Sequence, residues 1–242
     1  MSYQLSSSPN FDSRKNHAVD MIVLHYTNMV SAAAALARLC DPQAKVSAHY
    51  LIDEAGAIFK LVEEEQRAWH AGVAYWQGER DINACSIGIE LAHQGPDENG
   101  LCAPFPSLQM QALVALLQDI KTRHEIPSAR FLGHSDVAPA RKIDPGEAFD
   151  WQWLAQQGFG LYSTVSPMGK TPLKLCDQGQ SVAALRHALA DFGYELPASD
   201  IYDESTQIVV SAFQRHYRAH HVDGVADDET QSRLLDLLAQ SG

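Results

Sequence analysis

Hydrophobic positions along the chain fall into two rhythms. Residues 21–24 (Met-Ile-Val-Leu), 48–52 (Ala-His-Tyr-Leu-Ile), 86–91 (Ser-Ile-Gly-Ile-Glu-Leu) and 130–133 (Arg-Phe-Leu-Gly) are short, rich in β-branched or aromatic side chains and bounded by Gly, Asp or Asn, which predicts strands. Residues 32–39 are rich in Ala and Leu, and residues 108–120 set Leu113, Leu116, Leu117 and Ile120 at helical spacing behind a candidate N-cap, Ser107. Strands interleaved with helices predict an α/β unit on one central sheet, and the pattern leaves the strand directions open.

The rhythm stops near residues 161–172, where two prolines and a glycine occur without periodicity and predict a linker. It separates a first unit, residues 1–160, from a tail, residues 173–242, near the small end of independent domains. The tail reads as helical throughout. Val182, Leu185, Leu189 and Phe192 recur at helical spacing before Gly193. Asp203-Glu-Ser-Thr-Gln207 then returns 24 residues later as Asp227-Asp-Glu-Thr-Gln231, so that Val210 matches Leu234 and Phe213 matches Leu237. In each copy the Asp can cap a helix and the acid behind it complements the helix dipole, which predicts a small all-α bundle.

Composition narrows the functional classes. Of 242 residues, 45% are hydrophobic, enough for packed domains, and 18 basic against 30 acidic side chains give a net charge of -12 with no basic patch, which argues against a nucleic-acid partner. No stretch approaches the roughly 20 apolar residues of a membrane span. The first twenty residues are polar and carry Arg14 and Lys15, unlike a secretory signal peptide. Cys40, Cys85, Cys102 and Cys176 show no Cys-x-x-Cys spacing and are expected to be free structural thiols.

The candidate chemistry lies at strand ends. Along residues 21–25, Met21, Val23 and His25 share one face, so His25 emerges at the edge of the sheet's core. His134 follows the strand-like Phe131-Leu-Gly133, and Asp144 lies beyond a loop containing Pro139 that is able to fold back. Two imidazoles and a carboxylate match a catalytic zinc site whose fourth position is left to water. In residues 86–91, Ile87 and Ile89 face one way while Ser86, Gly88 and Glu90 face the other, so a carboxylate leaves an otherwise core-like strand and must meet a cation, a metal-bound water or solvent.

Five motifs in order, Leu24-His-Tyr-Thr27, Val46-Ser-Ala-His-Tyr-Leu-Ile52, Arg67-Ala-Trp-His-Ala-Gly72, residues 86–91 and Gly133-His-Ser-Asp-Val-Ala-Pro-Ala-Arg-Lys-Ile-Asp-Pro-Gly146, resemble the zinc N-acetylmuramoyl-L-alanine amidases of the AmpD type over residues 21–153. The tail, with Ala212-Phe-Gln-Arg215 and Val222-Asp-Gly-Val225, resembles the short helical peptidoglycan-binding domain attached to wall hydrolases. The resemblance implies a mixed central sheet flanked by helices, one zinc per chain on His25, His134 and Asp144, and Glu90 and Lys142 as catalytic side chains. It implies hydrolysis of the bond between N-acetylmuramic acid and L-alanine in peptidoglycan or muropeptides. In related phage amidases and peptidoglycan-recognition proteins a tyrosine precedes the histidine of the second motif; here Ala48 precedes His49, and proton handling falls to Glu90. His49 is expected to support a ligand or the fold, and His70 to line the groove or brace a loop. Trp69, Arg80 and Asn83 are the expected substrate contacts, an aromatic wall and polar groups for a stem peptide. The alternatives are a non-catalytic wall-binding protein and a zinc peptidase cutting within the stem peptide. The polar start favours a cytoplasmic enzyme and the tail favours the periplasmic wall; oligomeric state stays open.

Overall fold

A computed structural model describes residues 3–241; residues 1–2 and 242, the extreme ends of the first unit and of the tail, lie outside the described residues. In chain order the strands are β1 (Gln4–Leu5), β2 (Phe11–Ser13), β3 (Met21–Tyr26), β4 (Tyr50–Ile52), β5 (Ile58–Lys60), β6 (Gln66–Ala68), β7 (Ser86–Leu91) and β8 (Phe131–Gly133). Six of them form the central sheet in the order β1-β5-β4-β7-β3-β8, and β2 pairs with β6 in a separate ribbon. β3 runs parallel to β7 and β8, and β7 parallel to β4, whereas β5 returns antiparallel on β4. The sheet is therefore mixed, as expected. β1, β2, β5 and β6 escape the sequence pattern because two or three residues are too few to show an alternation.

The helices of the first unit are α1 (Ala32–Leu39), α2 (Ile82–Cys85), α3 (Ser107–Lys121), α4 (His134–Val137) and α5 (Trp151–Gln156). α3 begins at its predicted cap, one residue early: Pro106 occupies the N-cap with φ -58°, its carbonyl accepts from Met110 N–H at 3.0 Å, and Ser107 is the first helical residue. Leu113, Leu116, Leu117 and Ile120 bury the predicted face of α3 against Ile22, Leu24, Ile87 and Ile89.

The tail contains α6 (Gln180–Phe192), α7 (Glu204–Tyr217) and α8 (Asp228–Ser241). The repeat is written into its caps. Asp203 Oδ1 accepts from the N–H and hydroxyl of Thr206 at 2.8 and 2.7 Å, and Asp227 Oδ1 accepts from the same groups of Thr230 at 2.9 and 2.7 Å. Val210, Phe213, Leu234 and Leu237, the matched apolar positions, are all buried.

Residues 161–172 contain neither helix nor strand and lie along α8, with Ser163 donating to Asp236 at 2.6 Å and Met168 N–H to Asp228 at 3.0 Å. The face of β3 opposite α3 is covered by the tail. Met21, Val23, Leu132, Trp76 and Val137 share one buried cluster with Leu189, Phe192, Val210 and Phe213. Each fully buried aliphatic or aromatic side chain there contributes about 1.5–3 kcal/mol, so sheet and tail hold each other in place. His25 lies on the same face, beyond Val23, where this cover ends. Among the described residues no helix is long and apolar enough to cross a membrane, and the four cysteines are free.

A core shared by sheet and tail predicts that scanning calorimetry shows one cooperative unfolding transition for the whole chain. Two well-separated transitions, one per unit, would contradict the shared core.

Candidate metal centre

The parallel register of β3 and β7 sets Met21 beside Ser86, Val23 beside Gly88 and His25 beside Glu90. Three pairs thus share one face, and the pair that is polar on both sides, His25 and Glu90, lies toward the carboxyl ends of the strands, where parallel sheets form their crevices. β8 brings in His134 at the start of α4, and the return loop is closed by Ser135 N–H donating to the Asp144 carbonyl at 2.9 Å. The expected fold-back of residues 135–144 therefore occurs, with one turn of helix before the loop.

His25 Nδ1, His134 Nδ1 and Asp144 Oδ2 meet at 3.0–3.1 Å from one another, and all three residues are buried. The hydrogen bonds on the far sides of the rings decide which atoms carry protons. His134 Nε2 lies 3.0 Å from the Ala71 carbonyl, which can only accept, so Nε2 carries a proton and the tautomer that ligates a cation has its lone pair at Nδ1. Ser86 donates its hydroxyl proton to the Ile82 carbonyl at 2.5 Å and so accepts from His70 Nε2 at 3.1 Å. His70 Nδ1 is left to accept from His25 Nε2 at 3.1 Å, which turns the lone pair of His25 Nδ1 toward the cluster as well. Burial, with His134 adding and Asp144 opposing, pushes His25 down to about 4, and burial with the neighbouring His25 holds His70 well below its ordinary value, so both rings are neutral near pH 7.

Three lone pairs consequently converge with no proton between them. Such an arrangement is repulsive by itself and is relieved by a cation. Atoms 3.0–3.1 Å apart can share one partner about 2.0–2.2 Å from each, the distance of zinc to nitrogen or oxygen ligands, so the donor set fits the ion it was expected to hold.

These residues line a groove of about 760 Å³, together with Glu90, Lys142 and Trp69. Glu90 Oε2 is sealed from solvent without a hydrogen-bond partner; burial, with Asp144 adding and Lys142 opposing, pushes its carboxyl up to about 8. It thus stands ready to exchange a proton near neutral pH, and a cation beside it favours the ionised form.

Two expected substrate contacts lie outside the groove lining. Arg80 is exposed, lies over the Tyr75 ring at 5.1 Å and pairs with Glu195 of the tail, because the loop before α2 turns it away from the sheet's crevice. Asn83 is buried, and its Oδ1 accepts from the N–H groups of His70 and Ala71 at 3.1 and 2.8 Å, so it shapes the loop carrying His70. His49 braces the fold: its Nδ1 accepts from Gly88 N–H at 3.0 Å.

The support of His25 by His70 and Ser86 went unread in the sequence, although Ser86 and Gly88 share Glu90's face. The place of Gly88 follows from this support, since a Cβ there would lie 2.4–2.6 Å from the His70 ring. Arg141 was also missed. It lines the groove and donates to the Ala71 carbonyl at 3.0 Å, the oxygen that fixes His134.

Residues 15–147 match the family model described as N-acetylmuramoyl-L-alanine amidase, and residues 178–234 match a putative peptidoglycan binding domain. The chain belongs to the N-acetylmuramoyl-L-alanine amidase family. This amidase is 37% identical over 239 residues to N-acetylmuramoyl-L-alanine amidase AmiD of Escherichia coli, covering 93% of this chain and 84% of the relative. It is 37% identical over 164 residues to the 1,6-anhydro-N-acetylmuramyl-L-alanine amidase AmpD of Haemophilus influenzae, covering 60% of this chain and 86% of the relative. Its fold matches the structure of AmiD from E. coli in complex with the substrate anhydro-N-acetylmuramic acid-L-Ala-D-gamma-Glu-L-Lys, with a TM-score of 0.80, 36% identity, and 98% and 93% of the two chains covered.

If the relay through His70 sets the proton on His25, Ser86→Ala in the amidase weakens metal affinity roughly 10- to 100-fold, as loss of an outer partner of a ligand does. Competition against a chelator measures this, and an unchanged affinity would remove the relay from the account.

Proposed function

We propose that this amidase hydrolyses the amide bond between N-acetylmuramic acid and L-alanine in peptidoglycan fragments, using one zinc ion held by His25, His134 and Asp144. The observation that carries the reading is the meeting of three lone pairs at 3.0–3.1 Å, with Glu90 and Lys142 on the wall of the same groove. Zinc there would supply Lewis acidity, bringing the pKa of water at its open position from about 15.7 to about 7 and polarising the scissile carbonyl.

The protein's own groups do the rest. The Glu90 carboxylate, on the groove wall, takes the proton of the attacking water and returns it to the departing alanine nitrogen, since an amine leaves poorly unless protonated. Lys142 brings its ammonium to the groove and offsets the negative charge that develops on the carbonyl oxygen. Trp69, half-buried at the groove wall, offers its ring to the sugar or peptide.

The substrate named with AmiD supports an anhydromuropeptide as one that this chain accepts. The match of residues 178–234 to a peptidoglycan-binding domain supports attachment to the polymer and favours action at the wall.

Two variants test the assignment. His134→Ala loses most bound zinc, measured by metal analysis, and nearly all hydrolysis, while circular dichroism stays native; full zinc occupancy with normal turnover would overturn the site. Glu90→Gln keeps zinc and loses about 10² to 10⁴ in kcat. For the parent, mass spectrometry finds an intact stem peptide beginning with L-alanine, whereas cuts inside the peptide would point to a peptidase.

A further inference from the structure

The tail reaches the metal centre through one buried carboxylate. Asp136 lies in α4, two residues after His134, and is 1% exposed. Its Oδ2 accepts from Gly133 N–H at 2.7 Å, which closes the first turn of α4 around His134. The same oxygen lies 2.7 Å from His216 Nδ1 of α7, and Oδ1 accepts from the Tyr194 hydroxyl, just beyond α6, at 2.9 Å. Two of the three hydrogen bonds on this carboxylate thus come from the tail. A buried carboxylate stripped of them is costly, so the tail fixes where Asp136 rests. His216 is itself held in place, stacked between Trp151 and Tyr217 with ring centres 3.7 and 3.8 Å away.

The same part of the tail grips the other side of His134. The Ala71 carbonyl that orients His134 belongs to the loop leading to Trp76 and Gln77. Trp76 is fully buried against Phe192 and Tyr194, Gln77 N–H donates to the Gly193 carbonyl at 2.9 Å, and Gln77 Nε2 donates to the Phe192 carbonyl at 3.2 Å. Gly193 is needed for this approach: its φ is +150°, and a Cβ would lie 2.5 Å from the Trp76 ring. Tyr75 N–H ties the loop back to α4 by donating to the Val137 carbonyl at 2.8 Å.

We infer that the helical tail is a positioning element of the metal centre, with Tyr194 and His216 fixing the His134 turn through Asp136, in addition to any attachment to the wall. The metal arm of this inference rests on the zinc reading above; the hydrogen-bond clasp does not. A tail that served only as a tether could be separated from the catalytic unit without consequence for His134. The observed contacts make the two inseparable.

The test uses the full chain and two substitutions at one position. His216→Phe keeps a ring between Trp151 and Tyr217 and removes the donor; His216→Asn removes the ring and keeps an N–H donor at nearly the place of Nδ1. In the metal-free protein, amide exchange across residues 131–138 should rise about tenfold or more in His216→Phe and return most of the way to the parent rate in His216→Asn. Zinc affinity, read by chelator competition, should follow the same order, with a loss of about 10- to 100-fold in His216→Phe. Tyr194→Phe, which removes a single hydroxyl, carries the same test if His216→Phe does not fold. A folded His216→Phe or Tyr194→Phe protein with exchange and zinc affinity within twofold of the parent would overturn the inference, as would a His216→Asn protein no better than His216→Phe. If the parent binds no zinc, the metal reading fails and the exchange rates alone decide on the clasp.

Discussion

The organising constraint of this molecule is the direction of two lone pairs. An imidazole has two nitrogens, and a buried neutral ring presents a lone pair at one only if something accepts the proton at the other. Here the Ala71 carbonyl does this for His134, and the series His70, Ser86 and Ile82 carbonyl does it for His25. Once both Nδ1 atoms face Asp144, the centre offers three donor atoms that could hold a cation. Glu90, its carboxyl raised by burial, lies on the wall of the same groove. Much of the surrounding structure can be understood as keeping those acceptors where they are: Asn83 shapes the loop of His70 and Ala71, Arg141 adds a second hydrogen bond to the Ala71 carbonyl, and Gly88 leaves room for the His70 ring.

The same requirement gives the tail a second meaning. A binding module on a flexible tether raises local substrate concentration and leaves the chemistry alone. This tail shares a buried cluster with β3 and β8 and supplies two hydrogen bonds to Asp136, two residues after His134. Attachment and catalysis are thereby built on one core, so the fold has less freedom than a division into two units and a linker implies.

What was legible in the sequence was whatever local periodicity encodes. The alternation in β3 separated His25 from Ile22 and Leu24, the alternation in β7 turned Glu90 away from Ile87 and Ile89, and the Asp-x-x-Thr caps marked the starts of α7 and α8. The strand-like segment before His134 and the loop ahead of Asp144 pointed to those two residues, and the family motifs added Lys142. Contacts between distant segments left no local trace. Asp136 and His216 are 80 residues apart, and nothing in either neighbourhood announces the other. The surroundings of Arg80 and Asn83 were illegible for a related reason: a guanidinium or amide near a motif suits a substrate as well as it suits a salt bridge or a loop, and only the fold shows Arg80 turned to Glu195 and Asn83 to a backbone.

The central claim is that a metal is taken at Nδ1 of both histidines because their Nε2 protons are already engaged. A crystal structure of the zinc-loaded protein, with anomalous scattering recorded at the zinc edge, tests it directly. One anomalous peak is expected about 2.0–2.2 Å from His25 Nδ1, His134 Nδ1 and an Asp144 oxygen, with His25 Nε2 still on His70 and His134 Nε2 still on the Ala71 carbonyl. A peak bound to Nε2 of either ring, or zinc located away from these three residues, would contradict it.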